Sequence, residues 1–203
     1  MLEVGHVLAG PYGTMLLVGL GADVIKIEPR GDVSRQVGSQ LDYESLRRFN
    51  PKIVCVALTG YGLDGPASEW PAFDYVIQAR LGVAALTGEP DGPPELTGYS
   101  AVDNSAGIMA ALGLLAKIVE GTGGQVDVSL FDVMLSQLNY KAAAYLNGGA
   151  APKREPLGAH NLYVPAQLFE TATGYLALFV TSDSTWRRLC GGVDRPQWAD
   201  HAS

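Results

Sequence analysis

Apolar runs of strand length alternate along this chain with longer stretches whose apolar residues recur every three or four positions. Val24 to Ile27 reads as a short buried strand. Ile53 to Leu58, Ile-Val-Cys-Val-Ala-Leu, is a near-continuous apolar run, the pattern of a parallel strand covered on both faces. Gln125 to Leu130 alternates as a strand does. Helical stretches are expected from Tyr12 to Leu20, stopped by Gly21, from Tyr43 to Phe49, ended by Asn50-Pro51, and from Phe73 to Leu81. The strongest helical pattern spans Asp103 to Val119, with Ile108, Leu112, Leu115 and Val119 on one apolar face, Lys117 in the last turn and Gly121 as the stop. Phe131 to Leu146 reads as a second long helix. A strand pair around Gln167–Phe169 and Tyr175–Val180 and a helix start at Thr185-Trp186 follow. The alternation predicts an α/β fold with a largely parallel sheet.

Composition narrows the class. The chain has 203 residues, 47% of them hydrophobic and 17% charged, enough for one sizeable core or two small domains. The longest apolar runs are interrupted by Gly, Ser, Asn or Lys before the roughly 20 residues that a bilayer span needs, so no membrane partner is expected. No basic region followed by a signal-type apolar block opens the chain. A net charge of −7 and a pI near 4.9 argue against nucleic-acid binding. They leave room for an anionic ligand held by a few local cations and oriented N–H groups. Cys55 and Cys190 make neither a disulfide framework nor a metal cluster, and no metal site is expected. A reducing cytoplasm is the natural compartment.

Small residues punctuate the elements where a ligand would need access. The first 32 residues read as strand, turn, helix and strand, with Ala9-Gly10-Pro11 at the turn. That turn either allows tight packing or admits a large ligand. Thr59 to Pro66 is a Gly-rich loop at the C-terminal end of a strand, where α/β ligands usually sit and where backbone N–H groups can face an oxyanion. Gly123-Gly124 precedes a strand, so it is not a dinucleotide fingerprint.

Asp103 stands directly before the strongest helix. From pattern it reads first as an N-cap, and the same geometry suits a carboxylate aimed out of the fold by the helix start and kept ionised by the dipole. Phe73 reads as core or as a site wall, and Asp74 as a cap. Arg30 reads as a surface charge. His160, in a loop, reads as structural before catalytic.

Together, the opening Val7-Leu8-Ala9-Gly10, the Gly98 to Asp103 element and Pro71-Ala72-Phe73-Asp74-Tyr75 resemble the class III CoA-transferases of the CaiB/BaiF type, relatives of the 2-methylacyl-CoA racemases. The resemblance implies a Rossmann-like large domain over 1–147, a linker over 148–165 and the start of a smaller, truncated domain over 166–203, in an interlocked homodimer. It implies that Asp103 is the catalytic nucleophile. It also implies that Val7, Leu8, Ala9, Gly10, Arg30, Ala72, Phe73 and Asp74 hold coenzyme A, with Arg35 a further candidate cation.

The implied reaction moves CoA from an acyl-CoA to a small carboxylic acid through an aspartyl mixed anhydride and an aspartyl-CoA thioester. The CoA thioester is then substrate, and no tightly bound cofactor is expected. Leu8, where relatives often carry a polar residue, hints at a more apolar acyl group. Racemases of this type place a catalytic His where Phe73 stands, which favours transfer over racemisation. The family pattern also carries a strand–helix portion and an Asn-Phe-Arg-Pro-Gly loop where only Gln36 to Gln40 stand here, and it continues beyond Ser203. Racemisation and non-catalytic CoA binding remain the alternative readings.

Overall fold

A computed structural model of the chain describes residues 1–5, 8–26, 41–149 and 151–201. The expectations placed on Val7, Ile27, Arg30, Arg35 and 36–40 lie outside the described residues. The chain divides into two compact units: Met1–Val83 with Leu96–Ala150, and Ala84–Glu95 with Ala151–Ser203.

In the first unit, β1 (Leu2–Glu3) pairs in parallel with β2 (Ile25–Lys26), with α1 (Ala9–Gly19) between them in sequence. The short α2 (Tyr43–Leu46) begins at Asp42, whose carboxylate accepts the Ser45 N–H at 2.8 Å. Next come β3 (Val54–Thr59) and α3 (Asp74–Arg80), then, beyond α4 (Val83–Leu86), which falls in the second unit from Ala84 on, α5 (Ala101–Glu120) and β4 (Gly124–Ser129). β3 and β4 run parallel from Val54 opposite Gly124 to Thr59 opposite Ser129. Ser129 then caps α6 (Leu130–Gln137), its Oγ accepting the Asp132 N–H at 3.0 Å.

The expected single helix from Phe131 to Leu146 is two. α6 ends at Gln137, and α7 (Asn139–Gly148) starts on Asn139 at φ 35°, a left-handed conformation that Asn tolerates. The large parallel sheet is also smaller than its pattern suggests. The described strands make two parallel pairs and one antiparallel pair, within a mixed α/β fold. β3 is half-buried throughout because α5 packs against it while its remaining surface stays partly open, so it is not covered on both faces.

The core gathers Ile77, Val83, Val102, Ala106, Val128, Leu130, Val133 and Met134 around the first half of α5. α5 turns a face of small residues inward: Ala101, Val102, Ala106, Gly107 and Ala111 are buried. The larger apolar row is exposed, Ile108 at 48%, Leu112 at 56% and Val119 at 87%. The reason is the closeness of α1. A methyl at Gly107 would come within 2.6 Å of the Ala9 carbonyl oxygen, and one at Gly13 within 2.5 Å of the Gly107 carbonyl oxygen. Only a small-residue face lets two backbones meet this closely. Gly121 closes α5 at φ 75°, its N–H bonded to the Lys117 carbonyl at 3.1 Å. By length and composition alone α5 is apolar enough to cross a membrane, contrary to the interrupted runs expected from the sequence. Its small-residue face nonetheless packs against α1, β3, β4 and α6.

The second unit contains an antiparallel hairpin of β5 (Ala166–Thr171) and β6 (Gly174–Phe179), followed by α8 (Asp183–Gly192). Ser182 caps α8 through the Thr185 N–H at 3.3 Å. Arg154 donates to the Gly92 and Pro93 carbonyls at 2.9 and 2.8 Å and fastens the 88–94 loop within this unit.

Candidate active site

Three element starts meet near the first turns of α5. Asp103 is the third residue of α5 and half-buried, not the residue before the helix. The N-cap position belongs to Ser100, which makes no side-chain cap bond. The cap comes instead from α3: Asp74 Oδ2 accepts the Val102 N–H at 2.8 Å and the Asp103 N–H at 3.1 Å. The Ala101 N–H goes to the Tyr99 carbonyl and the Asn104 N–H to the Ser100 carbonyl. All four leading N–H groups of α5 are therefore engaged by the protein.

This arrangement reverses the expected electrostatics of Asp103. Burial, and after it the neighbouring Asp74 charge, push its carboxyl above the ordinary aspartate value. The helix dipole does not prevail because another carboxylate already occupies the helix start. The result is a more basic, more weakly solvated carboxylate, hence a better attacking group when ionised. Burial and the Asp42 charge push the Cys55 thiol up, which makes it a poor nucleophile at neutral pH.

The structure brings the start of α1 to this place through Ala9. Leu8 stands before α1 and its carbonyl accepts the Tyr12 N–H at 2.8 Å, the first bond of the helix. The N–H groups of Ala9 and Gly10 precede that bond and so have no acceptor within the helix. The Ala9 carbonyl lies against Gly107, one turn beyond Asp103, about 6 Å further along α5. Ala72 is half-buried and packs against Gly60, where any side chain would collide with the Ala72 methyl. Phe73 is 67% exposed at the cap of α3, so it is a surface ring rather than core. Asp74 is buried, with both oxygens bonded inside the protein.

The Thr59 to Pro66 loop offers fewer donors than its glycines suggest. The Gly62 N–H goes to Thr59 Oγ1 and the Leu63 N–H to Asp127 Oδ2, both at 2.8 Å. Tyr61 packs on Trp70 and Phe131, and the Arg80 guanidinium lies 4.5 Å from the Trp70 ring centre. His160 belongs to the second unit. Its Nδ1 accepts the Leu162 N–H at 3.0 Å and its ring packs on Tyr163 and Phe179, the structural role its loop position suggested. Among the described residues no group of His, Cys, Asp and Glu has the arrangement of a metal site.

Sequence reasoning missed Gln78 and Thr97. Gln78 is fully buried and bonds Asp74 and Thr97 together. The spacing of Asp74 and Gln78, four apart on one helix face, was the available signal.

The site thus combines a half-buried carboxylate, pushed above the ordinary aspartate value, with the close-packed start of α1. The chain belongs to CoA-transferase family III, whose model matches residues 1–42 and 38–203. It is similar to succinate–glutarate CoA-transferase of Agrobacterium fabrum, 30% identical over 258 aligned positions that take in 94% of this chain and 64% of that protein. It is similar to succinyl-CoA:mesaconate CoA-transferase of Haloarcula hispanica, 28% identical over 98% of this chain and 67% of that one. A CaiB/BaiF family protein from Brucella suis shares the fold with a TM-score of 0.81 at 27% identity, covering 98% of this chain and 69% of that one. The chain thus spans about two thirds of its relatives' length. An alignment of 258 positions on a chain of 203 residues means that the relative carries inserted residues, and the family match breaks at 38–42.

Proposed function

We propose that this chain transfers CoA between an acyl-CoA donor and a small carboxylic acid, with Asp103 as nucleophile. The Asp103 carboxylate attacks the thioester carbonyl, the C–S bond breaks, and a mixed anhydride forms as CoA thiolate leaves. The thiolate then attacks the aspartyl carbonyl, releasing the acyl carboxylate and leaving an aspartyl-CoA thioester. An acceptor acid repeats both steps in reverse, and the thioester's activation is kept throughout. The observation that carries this reading is the half-buried Asp103 carboxyl, pushed up by burial and by Asp74, at the meeting of α1, α3 and α5.

Relatives named for succinate, glutarate and mesaconate point to small dicarboxylic acids as the class to test, with Leu8 favouring a more apolar acyl group. Coenzyme A would lie along Leu8 to Gly10, with Val7 and Arg30 as further contacts taken from the resemblance. A Rossmann-like large domain, a homodimer and a cytoplasmic setting complete the reading. Phe73, where a racemase of this type needs an imidazole, speaks for transfer over α-proton exchange.

A second reading, non-catalytic CoA binding, is favoured by the break in the family match at 38–42. The Asp103→Ala variant separates the two. It should lose CoA exchange by at least ~10³-fold while still binding CoA, and hydroxylamine added with acyl-CoA should convert Asp103 of the parent chain to its hydroxamate, with CoA thiol released from the aspartyl thioester. A parent chain that binds CoA but is never acylated supports the second reading.

A further inference from the structure

Asp74 reaches the start of α5 with one oxygen, and its other oxygen needs a donor because the side chain is buried. Gln78 supplies it. Its Nε2 donates to Asp74 Oδ1 at 2.5 Å and to Thr97 Oγ1 at 2.8 Å, and its Oε1 accepts the Thr97 N–H at 3.0 Å. The Thr97 backbone N–H can only donate, which fixes which end of the amide faces it. Thr97 Oγ1 in turn donates to the Tyr99 carbonyl at 2.7 Å. One buried amide therefore ties α3 to the Thr97–Ser100 segment that leads into α5, and through Asp74 to the first turn of α5 itself.

We propose that Asp74 and Gln78 form a buried positioning pair that fixes the first turn of α5, and with it the attacking carboxylate of Asp103. The inference rests on Asp103 being the nucleophile. Neither member of the pair has a free polar atom for substrate, so both act through Asp103. The pair acts in two ways. It holds the Asp103 backbone in place through its N–H, and it sets a negative charge beside Asp103 that opposes ionisation.

Other elements packed on α5 offer little competing charge. α1 (Ala9–Gly19) carries no Asp, Glu, Lys, Arg or His. β3 carries only Cys55. Asp127 of β4 is bonded to the Leu63 N–H, Asp132 sits in the first turn of α6, and Arg80 at the far end of α3 is stacked on Trp70.

The test uses the full chain with succinyl-CoA as donor and glutarate as acceptor, and compares Asp74→Asn, Gln78→Met and Asp103→Asn. Asp74→Asn keeps an oxygen for the α5 N–H groups but removes the charge. Its acid limb in kcat/KM should move to lower pH. Gln78→Met keeps bulk but removes the amide. It should lower kcat about tenfold or more and change KM for succinyl-CoA less than about threefold, because orientation rather than binding is lost. If Gln78→Met does not fold, Thr97→Val removes only the hydroxyl that anchors the amide and should lower kcat about twofold to fivefold. Folded pair variants with the parent's acid limb and kcat, alongside an inactive Asp103→Asn, overturn the pair but leave the nucleophile standing. Turnover retained by Asp103→Asn overturns the nucleophile reading, and the pair's role with it.

Discussion

Asp103 binds its proton more tightly in the folded chain than an ordinary aspartate does, because burial and the Asp74 carboxylate both oppose its charge. Its folded pKa therefore lies above its unfolded one. The native state holds more proton than the unfolded state between those two values, so stability falls as pH rises through that window. At neutral pH the ionised side chain is a standing cost to the fold. Asp103→Asn should melt above the parent chain at pH 7, and the difference should vanish below the ordinary carboxyl range, where both side chains are neutral. Thermal melts at a series of pH values check this. A variant that melts at or below the parent at pH 7 counts against a desolvated carboxylate. The expected pattern, lost activity with gained stability, is the one found where a site is strained for function. That Asp103 stands at a helix start was legible in the sequence, because an acid beside small residues ahead of an apolar repeat is a local pattern, whereas its reading as a nucleophile came from the family resemblance. Its raised pKa was not, because burial, the larger cause, depends on tertiary packing, and the second cause, Asp74, lies 29 residues earlier on another helix.

The same limit appears at the scale of α5. Its length and its Gly121 stop were readable from periodicity and capping residues. Its orientation was not, since periodicity shows that faces differ and not which face a neighbour takes. The row Ile108, Leu112, Leu115 and Val119 is the larger apolar face, yet α1 chose the smaller one. Close backbone approach won over bulk, because dispersion and exclusion of water between two helices grow as the helices near each other. Glycine substitutions test this by sign. Gly107→Ala forces a methyl toward the Ala9 carbonyl and should destabilise by about 1–3 kcal/mol despite alanine's better helix propensity. Gly19→Ala, in open space on α1, should be neutral or stabilise by up to about 1 kcal/mol. Urea denaturation of both variants gives the comparison. Equal effects at the two positions would contradict the packing described for Gly107.

At the scale of the whole molecule, the apolar row that α1 leaves uncovered is the largest unexplained surface on the longest helix. Ile108, Leu112, Leu115, Ile118 and Val119 are all exposed, spread over three turns of α5. A contiguous row of this kind on one helix marks an interaction surface more often than a solvated one. A homodimer is the assembly proposed here, and a two-fold interface would set the same row of each copy into contact. Sedimentation velocity on the 21.4 kDa chain should then show a species of twice that mass. Leu112→Asp with Ile108→Asp places charge on the row without touching the buried small-residue face. That double variant should sediment at the mass of one chain while keeping the secondary structure of the parent. A dimer that survives the double substitution moves the interface elsewhere. A chain that sediments only at 21.4 kDa removes the dimer from the reading altogether and leaves the row as exposed apolar surface. Because the row lies on the helix that carries Asp103, loss of the dimer with intact CoA exchange would further show that the active site is complete within one chain.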